Sequence, residues 1–348
     1  MGKKTVLHIL RSSEYSGAEK VAITIIKAFR DEYNMVYLSS DGSIKEALEA
    51  ENIKYVLLKH YSRKNIRQVI EQIQPDIVHA HDYTASLIAA SLKKDFLLIS
   101  HLHNDPMWVR KWNPKTLLFA SLLGRIDRMI VVSEAAYQNF AFKKYCKKKV
   151  RIIHNPVDKN EICRLAECEN SKKEYDLIFC GRMSEQKNPE RFIEIVESLV
   201  KEGLNVRAVM LGRGPSMESC KQQIAEKQLE KHIDLLGFVN NPYRYMAQTR
   251  ILCMPSRWEG FGLVAAEANV LGVPVLATRA VGLLEVYGEE PYEYCDTNED
   301  FCRKIRELLL DTQLYEKIKE ASLKKVARLA DIDLYKKEIE AVYREEEH

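Results

Sequence analysis

The sequence lacks the features that mark a membrane-spanning or disulfide-linked chain. No apolar run in its 348 residues approaches the ~20 residues needed to cross a bilayer. The start, Met-Gly-Lys-Lys-Thr, leads directly into an apolar strand pattern without a signal-peptide stretch, so we expect a cytoplasmic location. None of the eight cysteines is part of a Cys-x-x-Cys pair. Disulfides and a structural zinc site are therefore not expected.

The sequence also has little excess of positive over negative charge. The net charge is only +3 and no recognised nucleic-acid module is present, so nucleic acid is not an expected partner. Between residues 101 and 160, however, twelve Lys or Arg face four acids. Within that region the segment 107–125 mixes aromatic, basic and apolar residues, as segments resting on anionic lipid do. A core helix with a solvated basic end is the alternative interpretation.

What the sequence does contain is a regular alternation of strand and helix patterns, which is typical of parallel sheets covered by helices on both faces. Strands are predicted near 5–10, 35–39, 54–58, 76–80, 96–100, 128–132 and 150–153, and then near 175–180, 206–211, 233–237, 251–254 and 274–277. The polar stretch 160–173 between the two sets predicts a hinge. We therefore predict an α/β protein with two Rossmann-like domains, residues 1–165 and 166–331, whose parallel sheets face one another across a cleft.

Two carboxylates lie around a glycine-flanked helix start in the second half. Glu259 precedes Gly260-Phe-Gly262, and Glu267 lies more than a turn inside the helix that follows. Helix positions eight apart are separated by about 12 Å, roughly the reach of a sugar diphosphate nucleoside. The helix start favours an anion, and the carboxylates could accept hydrogen bonds from sugar and ribose hydroxyls. A solvated glutamate pair beside a packing turn is the alternative.

A second strand in this half ends in a turn that carries two cations. After the strand 176–180, Gly181 is followed by Arg182 and Lys187, just before another helix. Two fixed cations at such a junction can neutralise a diphosphate leaving group without a metal ion. An Arg and a Lys that simply cap a loop would give the same pattern.

Together the two segments resemble the signature of family-4 glycosyltransferases of the GT-B fold, in which Gly-Arg…Lys grips the diphosphate and Glu-x7-Glu holds the sugar and the ribose. The resemblance covers nearly the whole chain. It implies a retaining, metal-independent transfer of a hexosyl or N-acetylhexosaminyl group from a nucleotide sugar, with UDP-sugar as the expected donor. The acceptor would be a glycan or a lipid-linked saccharide, as in capsule or exopolysaccharide synthesis. The resemblance also implies that a C-terminal helix, residues 332–348, packs back on the first domain.

The resemblance assigns roles to individual residues. Arg182, Lys187, Glu259 and His103 are the expected catalytic residues, and Glu267 is expected to hold the ribose. The expected donor-binding positions, several of which act through the main chain, are Gly17, Gly181, Gly212, Phe238, Val239, Gly260, Phe261, Gly262, Leu263 and Val264. As a lone Gly-x-Gly, the turn at Gly212 could also be a plain turn. Phe238 and Val239 could equally be core residues at a strand end.

Histidines form two i, i+2 pairs at strand ends, His79 with His81 and His101 with His103. Each pair places both rings on one side of a strand. Such spacing could ligate zinc, but no third ligand is evident in the sequence, and we expect no metal. In the family that the chain resembles, a histidine after this strand contacts the sugar. His103 is the better candidate for that contact, and His101 stays open.

Two further functions remain compatible with these patterns. A GT-B enzyme such as a nucleotide-sugar 2-epimerase would interconvert free UDP-sugars without an acceptor. A non-catalytic scaffold that binds a nucleotide sugar would be expected to have lost the cations or the glutamates. Arg182, Lys187, Glu259 and Glu267 are all present, which favours the transferase.

Overall fold

Each predicted strand forms in the structure, which is a computed structural model. It describes residues 2–104, 106–166, 173–280, 282–284 and 294–344. Their contacts divide the chain into two compact units, one ending at Pro156 and resuming at Asp333, the other running from Val157 to Ile332. Each unit has its own parallel sheet covered by helices. The predicted α/β class with two Rossmann-like domains is confirmed.

The first unit is built on a seven-stranded parallel sheet in the order β3-β2-β1-β4-β5-β6-β7. The strands are β1 (Thr5–Ile9), β2 (Asn34–Ser40), β3 (Tyr55–Leu58), β4 (Ile77–Ala80), β5 (Leu97–Leu102), β6 (Arg128–Val131) and β7 (Val150–Ile152). The helices between them are α1 (Gly17–Phe29), α2 (Ile44–Ala50), α3 (Arg63–Ile73), α4 (Tyr83–Ser91), α5 (Pro114–Leu122), α6 (Glu134–Asn139) and α7 (Lys143–Cys146). Alternate residues such as Leu7, Val78 and Leu98 form one core on the face toward α3 and α4.

The second unit repeats the plan with a five-stranded parallel sheet in the order β10-β9-β8-β11-β12. Its strands are β8 (Tyr175–Cys180), β9 (Ala208–Leu211), β10 (Ile233–Gly237), β11 (Thr249–Met254) and β12 (Val275–Ala277). Its helices are α8 (Lys159–Ala166), α9 (Pro189–Lys201), α10 (Met217–Glu226), α11 (Pro242–Ala247), α12 (Leu263–Val270), α13 (Asn298–Leu310) and α14 (Thr312–Val326). Phe179, Phe192 and Phe301 lie in the core of this unit.

The boundary between the units differs from the one expected at residue 165. Polar composition suggested a hinge over 160–173, but residues 159–166 form α8, which packs on α11 and α12 of the second unit. Ile162 and Ala166, four residues apart, are buried on one side of this helix. Asn241 also donates a hydrogen bond from Nδ2 to the Leu165 carbonyl at 2.7 Å. The division therefore falls at Pro156 and Val157; residues 167–172 of the expected hinge lie outside the described ranges.

The last helix, α15 (Ile332–Arg344), contacts the first unit from Asp333 onward. Tyr343 is buried beside Phe29 and Tyr33, and its hydroxyl lies 2.9 Å from Nδ1 of His79. Lys336 pairs with Glu32 at 2.6 Å. The first sheet is therefore covered in part by the end of the chain.

None of the helices in the described ranges combines the length and the apolar character that a bilayer crossing requires.

Candidate active site

The predicted donor-site residues of the second unit lie at the carboxyl ends of neighbouring strands. Gly181 follows β8, Gly212 follows β9, Phe238 and Val239 follow β10, and the Glu259 segment follows β11. These four strands are adjacent in the order β10-β9-β8-β11. Ligands of open parallel sheets bind at this edge. Motifs that are far apart in the sequence are therefore brought to one side of one sheet.

Glycines let the first three strand ends approach closely. The Gly181 N–H donates to the Leu211 carbonyl at 3.0 Å, and the Gly212 N–H donates to the Gly237 carbonyl at 2.7 Å. Gly212 has φ +139°, and a Cβ atom there would lie 1.8 Å from the Gly181 carbonyl oxygen. A side chain at 212 is therefore excluded unless the backbone moves. The sequence was also compatible with a plain turn at Gly212. The structure instead shows a close contact between the backbones of Gly212 and Gly181.

The cation motif and the first glutamate meet directly. The Lys187 ammonium donates to both carboxylate oxygens of Glu259, at 2.7 and 2.8 Å. The loops that carry them are also joined, because the Arg257 N–H donates to the Gln186 carbonyl at 2.8 Å and Gln186 Nε2 donates to the Trp258 carbonyl at 3.1 Å. The resemblance assigned Lys187 and Glu259 separate roles, and this ion pair was not predicted.

The pair is largely removed from solvent. The Lys187 side chain is 19% exposed and that of Glu259 is 3% exposed. A carboxylate buried to this degree is strongly destabilised unless a cation or hydrogen-bond donors offset the lost hydration. Lys187 therefore offsets the lost hydration of the Glu259 carboxylate through two hydrogen bonds.

Arg182 is the more available cation of the motif. It is exposed and makes no hydrogen bond or ion pair with any of the described residues. It follows Gly181 at the end of β8, at the same sheet edge as the buried Lys187. An exposed guanidinium at this place can bind a phosphate through two parallel hydrogen bonds.

The helix after the glutamate segment begins at Leu263, with Gly262 as its N-cap at φ +82°. The main-chain N–H groups of Leu263 and Val264 open this helix and have no acceptor within it. Gly260 and Phe261 precede the helix, and Phe261 is buried. The start of α12 thus offers backbone donors and a positive dipole end at the sheet edge.

A neighbouring glycine that the sequence analysis did not identify supports this turn. A Cβ atom at Gly282 would lie 2.5 Å from the Glu259 carbonyl oxygen and 2.6 Å from that of Gly260. The segment containing Gly282 therefore packs directly on the glutamate loop. The only signal in the sequence is the glycine itself, because its partner is a backbone more than twenty residues away.

Glu267 is buried inside α12, with 6% of its surface exposed. The Tyr243 hydroxyl donates to its Oε1 at 3.2 Å. Tyr243 lies in the first turn of α11, just after the loop of Phe238 and Val239. Its position near that loop was a weak signal that the sequence analysis missed. The contact fixes the orientation of one carboxylate oxygen.

Two predicted site residues belong to the first unit. Gly17 is the first residue of α1, where the Ser16 hydroxyl donates to the buried Glu19 at 2.5 Å. His103 lies just beyond β5, and its Nε2 is 3.0 Å from Nδ1 of His81. The remaining predicted residues are all in the second unit.

The histidines of the first unit offer ligand sets that the sequence did not reveal. One set is His8, His79 and His81, and the other is His81, His101 and His103; in each, three ring nitrogens lie within 4.8 Å of one another. A third ligand is therefore present beside each i, i+2 pair, contrary to the sequence analysis. Imidazole triads of this kind suit a zinc ion.

Two family models match the two halves of the chain. The family model described as "Glycosyltransferase Family 4" matches residues 15–161, and "Glycosyl transferases group 1" matches residues 166–325. The O-antigen biosynthesis glycosyltransferase WclY of Escherichia coli is 22% identical over 299 residues, with 82% of both chains covered. An N-acetylgalactosaminyltransferase of Campylobacter jejuni that acts on a diphospho-undecaprenol-linked saccharide is 28% identical over 185 residues, 52% of this chain and 49% of that one.

A solved structure shares the fold of the chain. The crystal structure of HepE from Anabaena in complex with UDP and glucose matches with a TM-score of 0.84 at 21% identity, covering 98% of this chain and 99% of that one. The two family models together match residues from both units. The protein is therefore a member of the family-4 glycosyltransferases of the GT-B fold.

Proposed function

We propose that the protein is a retaining, metal-independent glycosyltransferase that moves a hexosyl or N-acetylhexosaminyl group from a UDP-sugar to a hydroxyl of a glycan or lipid-linked saccharide. The observation that carries the proposal is the convergence at one sheet edge of the exposed Arg182, the Lys187–Glu259 pair and the start of α12. A diphosphate between sugar and nucleoside fits these donors.

In this reaction the cations act on the leaving group. Arg182, Lys187 and the first N–H groups of α12 stabilise the charge that develops on the diphosphate as the glycosidic bond breaks. Lys187 can reach this charge while it holds Glu259, since an ammonium has three N–H donors. Glu259 then orients the sugar, Glu267 accepts hydrogen bonds from the ribose, and His103 stays a predicted sugar contact.

The hydrogen bonds of Glu259 favour retention of the anomeric configuration without a covalent intermediate. A double displacement needs a free carboxylate nucleophile with an acid partner about 5–5.5 Å away. Both oxygens of Glu259 accept hydrogen bonds from Lys187, which lowers their nucleophilicity. We therefore propose that the acceptor attacks on the face that the diphosphate leaves, with the leaving phosphate oxygen taking the acceptor's proton.

The substrate classes rest on what is known of similar proteins. HepE was crystallised with UDP and glucose, and the names of the two bacterial relatives specify O-antigen biosynthesis and a diphospho-undecaprenol-linked acceptor. These names support a UDP-sugar donor, a lipid-linked acceptor and a role in the synthesis of surface glycans such as capsule or exopolysaccharide.

The test is to incubate the protein with UDP-, GDP- and ADP-sugars, with and without a lipid-linked oligosaccharide, in the presence of EDTA. Acceptor-dependent UDP release and an anomeric NMR signal of unchanged configuration are expected. Interconversion of free UDP-sugars without acceptor would identify an epimerase instead, and stabilisation by UDP without any turnover would identify a scaffold. Donor preference can be read first from thermal stability, because ligand at 100 times its Kd adds about 2.7 kcal/mol.

An exposed aromatic and basic surface supports a lipid-linked acceptor at the cytoplasmic face of the membrane. Trp112 is 72% exposed and Tyr145 is 74% exposed. Each ring packs on Phe142, with centroids 4.8 and 6.1 Å apart, so the segment before α5 and the helix α7 form one surface. We call this the α5–α7 surface; its other exposed members are Lys111, Lys115, Leu117, Leu118, Lys144, Lys147 and Lys148.

The α5–α7 surface combines large apolar side chains with several lysines, as peripheral membrane proteins do at anionic bilayers. We expect the protein to sediment with vesicles that contain phosphatidylglycerol and not with phosphatidylcholine vesicles. Trp112→Ala with Tyr145→Ala should abolish sedimentation. Leu310→Ala removes an equally exposed apolar side chain of the second unit and should have no effect. Equal loss in the control would contradict the assignment of this surface.

A further inference from the structure

Five histidine rings lie together on one face of the first sheet. His8 of β1 is in register with His79 of β4, and the alternation of side chains along a strand brings three more rings to the same side. These are His81, one residue beyond β4, His101, near the end of β5, and His103, one residue beyond β5. The first four rings are buried and His103 is partly exposed. The face therefore carries a row of imidazoles from the core to the edge of the sheet.

The three rings nearest the edge, His81, His101 and His103, have the spacing of metal ligands; we call them the outer set. One ring nitrogen from each lies within 4.8 Å of the others, and Nδ1 of His81 is 3.0 Å from Nε2 of His103. Nitrogens bound to one tetrahedral zinc ion are about 3.3 Å apart, because each Zn–N bond is about 2.0–2.1 Å long. Small rotations of the rings therefore bring these nitrogens to ligand distances.

Two rings of the outer set are held in place by histidines further inside. Nε2 of His81 is 2.9 Å from Nδ1 of His8, and Nδ1 of His101 is 3.2 Å from Nε2 of His79. Metal-binding histidines have such a partner on the nitrogen that faces away from the ion, because the contact fixes the orientation of the ring. Nε2 of His101 is buried and has no hydrogen-bond partner among the described residues. It is the nitrogen of that ring that is left for an ion.

His103 gives the outer set a route to solvent. Its ring is partly exposed, and it forms a side-chain hydrogen bond with Asn155, which is 3% exposed. A zinc ion with three protein ligands binds a solvent molecule or another small ligand at its fourth position. The exposed side of His103 allows both the ion and this fourth ligand to enter.

The other candidate set, His8, His79 and His81, is less suited to an ion; we call it the inner set. All three of its rings are buried. Both nitrogens of His79 already have partners, the Tyr343 hydroxyl at 2.9 Å and His101 at 3.2 Å. An ion in the inner set would have to break one of these contacts, and it would have no exposed ligand beside which to enter.

We propose that the outer set binds one zinc ion through three imidazole nitrogens, with a solvent molecule as the fourth ligand. The ion takes no part in the transfer reaction. Because His103 is also a predicted sugar contact, the ion and the sugar compete for this side chain, and bound zinc inhibits transfer. The zinc site rests on the ligand-free protein alone, whereas the inhibition rests on the proposed function.

Equilibrium dialysis of the full chain against Zn²⁺, after treatment with EDTA, tests the site. We expect one ion per chain to remain bound after gel filtration. X-ray absorption spectroscopy should show three imidazole nitrogens at about 2.0–2.1 Å from the zinc. The absence of retained zinc would overturn the proposal, and so would a first shell that contains sulfur or lacks imidazole.

Two substitutions distinguish the outer set from the inner set. His103→Ala removes an outer ligand and should weaken zinc binding by more than the roughly 10–100-fold loss that follows a change in a ligand's partner. His8→Asn removes an inner ligand but places an amide beside His81, and should weaken binding about tenfold at most. His60→Ala removes an exposed histidine and is the control. Retention of the ion by His103→Ala protein, or its loss from folded His8→Asn protein, would overturn the assignment to the outer set.

Transfer assays test the competition at His103. Added Zn²⁺ should lower the transfer rate in proportion to the fraction of protein that holds the ion, and EDTA should restore the rate. Transfer at the full rate by zinc-loaded protein would overturn the competition. If no nucleotide sugar supports transfer at all, the proposed function fails, whereas dialysis and X-ray absorption still decide the zinc site.

Discussion

Lys187 and Arg182 make different contacts in the ligand-free protein, although both belong to one cation motif in the sequence. Lys187 holds a buried carboxylate through two hydrogen bonds, whereas Arg182 is exposed and binds none of the described residues. Loss of a phosphate-binding group and loss of a partner for a buried charge have different thermodynamic consequences. The two residues can therefore be separated by experiment.

Arg182→Ala should lower kcat about 10²–10³-fold and leave the free energy of unfolding unchanged within about 0.5 kcal/mol. Lys187→Ala should lower the free energy of unfolding by about 3–5 kcal/mol, because it leaves Glu259 buried without its cation. Denaturant unfolding and transfer assays on both proteins check this. Arg303→Ala, at an exposed arginine of α13, is the control. Normal turnover by folded Arg182→Ala protein would remove its role at the diphosphate.

The lowered pKa values of the buried histidines predict how the free energy of unfolding depends on pH. The pKa of His8 falls to about 3 and that of His103 to about 4, and the pKa values of His79, His81 and His101 are also lowered well below the ordinary 6.5. Between pH 6.5 and about 4 the unfolded chain therefore binds more protons than the folded one. Stability is fully present above pH 6.5 and is lost as pH falls through this window. Asp82, whose pKa burial raises, acts in the opposite direction but is a single group.

We expect the free energy of unfolding to decrease between pH 7 and pH 5 more steeply than the 1.4 kcal/mol per pH unit of one histidine. Denaturant titrations at several pH values measure this slope. His8→Asn removes one of the groups and should reduce the slope by about one proton. A free energy of unfolding that is constant over this range would show that the rings take up protons without unfolding.

At the scale of elements, the apolar strand patterns were sufficient to predict all twelve strands, because a strand buried on both faces is recognisable from its own residues. The end of β5 was predicted at Ser100, but the strand continues to Leu102. His101 is tolerated in the sheet because it hydrogen-bonds to His79 on the neighbouring strand at 3.2 Å. That partner is known only once the strand order is known.

The parts of the site that were missed also depend on contacts between residues that are distant in the sequence. Glu259, Glu267, Arg182 and Lys187 were found because each motif is local in the sequence. The Lys187–Glu259 pair joins residues 72 positions apart, and the contact of Gly282 with the glutamate loop involves only backbone atoms. Contacts of this kind depend on how the loops pack, and the spacing of residues in the sequence does not predict that packing.

The glycine contact between the ends of β8 and β9 gives a prediction at this scale. Gly212→Ala should cost about 2–5 kcal/mol, because it adds backbone strain to a clash with the Gly181 carbonyl. Gly203→Ala is the matched control, since Gly203 also has positive φ but open space around it, and it should cost about 1–2 kcal/mol. Thermal unfolding and UDP binding measure the difference. Equal costs would show that the strand ends separate easily.

At the scale of the whole molecule, the units are defined by which helices cover which sheet. Polar composition placed α8 in a hinge, yet its buried side packs on the second unit. The final helix returns to the first unit, where Tyr343 contacts His79 of β4 across 264 positions of sequence. The two family models change over between residues 161 and 166, within α8, whereas the contacts divide the chain at Pro156 and Val157. Each unit should therefore respond separately to the loss of its own core residues.

Two buried tyrosines make this testable, one in each unit. Tyr343 of α15 packs on Phe29 and holds His79, and Tyr315 of α14 packs in the second core with its hydroxyl donating to the Arg250 carbonyl at 3.2 Å. Truncation of a buried aromatic residue to alanine costs about 3–5 kcal/mol. Hydrogen exchange followed by mass spectrometry should show faster exchange in β1 and β4 for Tyr343→Ala.

The matched Tyr315→Ala protein should show faster exchange in β8 and β11, with β1 and β4 unchanged. Tyr343→Phe keeps the ring but leaves His79 Nδ1 without its hydroxyl partner, so it should have a smaller effect of about 1–3 kcal/mol, confined to the first unit. Equal acceleration in both sheets for either alanine variant would show that the two units unfold as one cooperative body. The terminal helix would then stabilise the whole chain and not only the sheet that it covers.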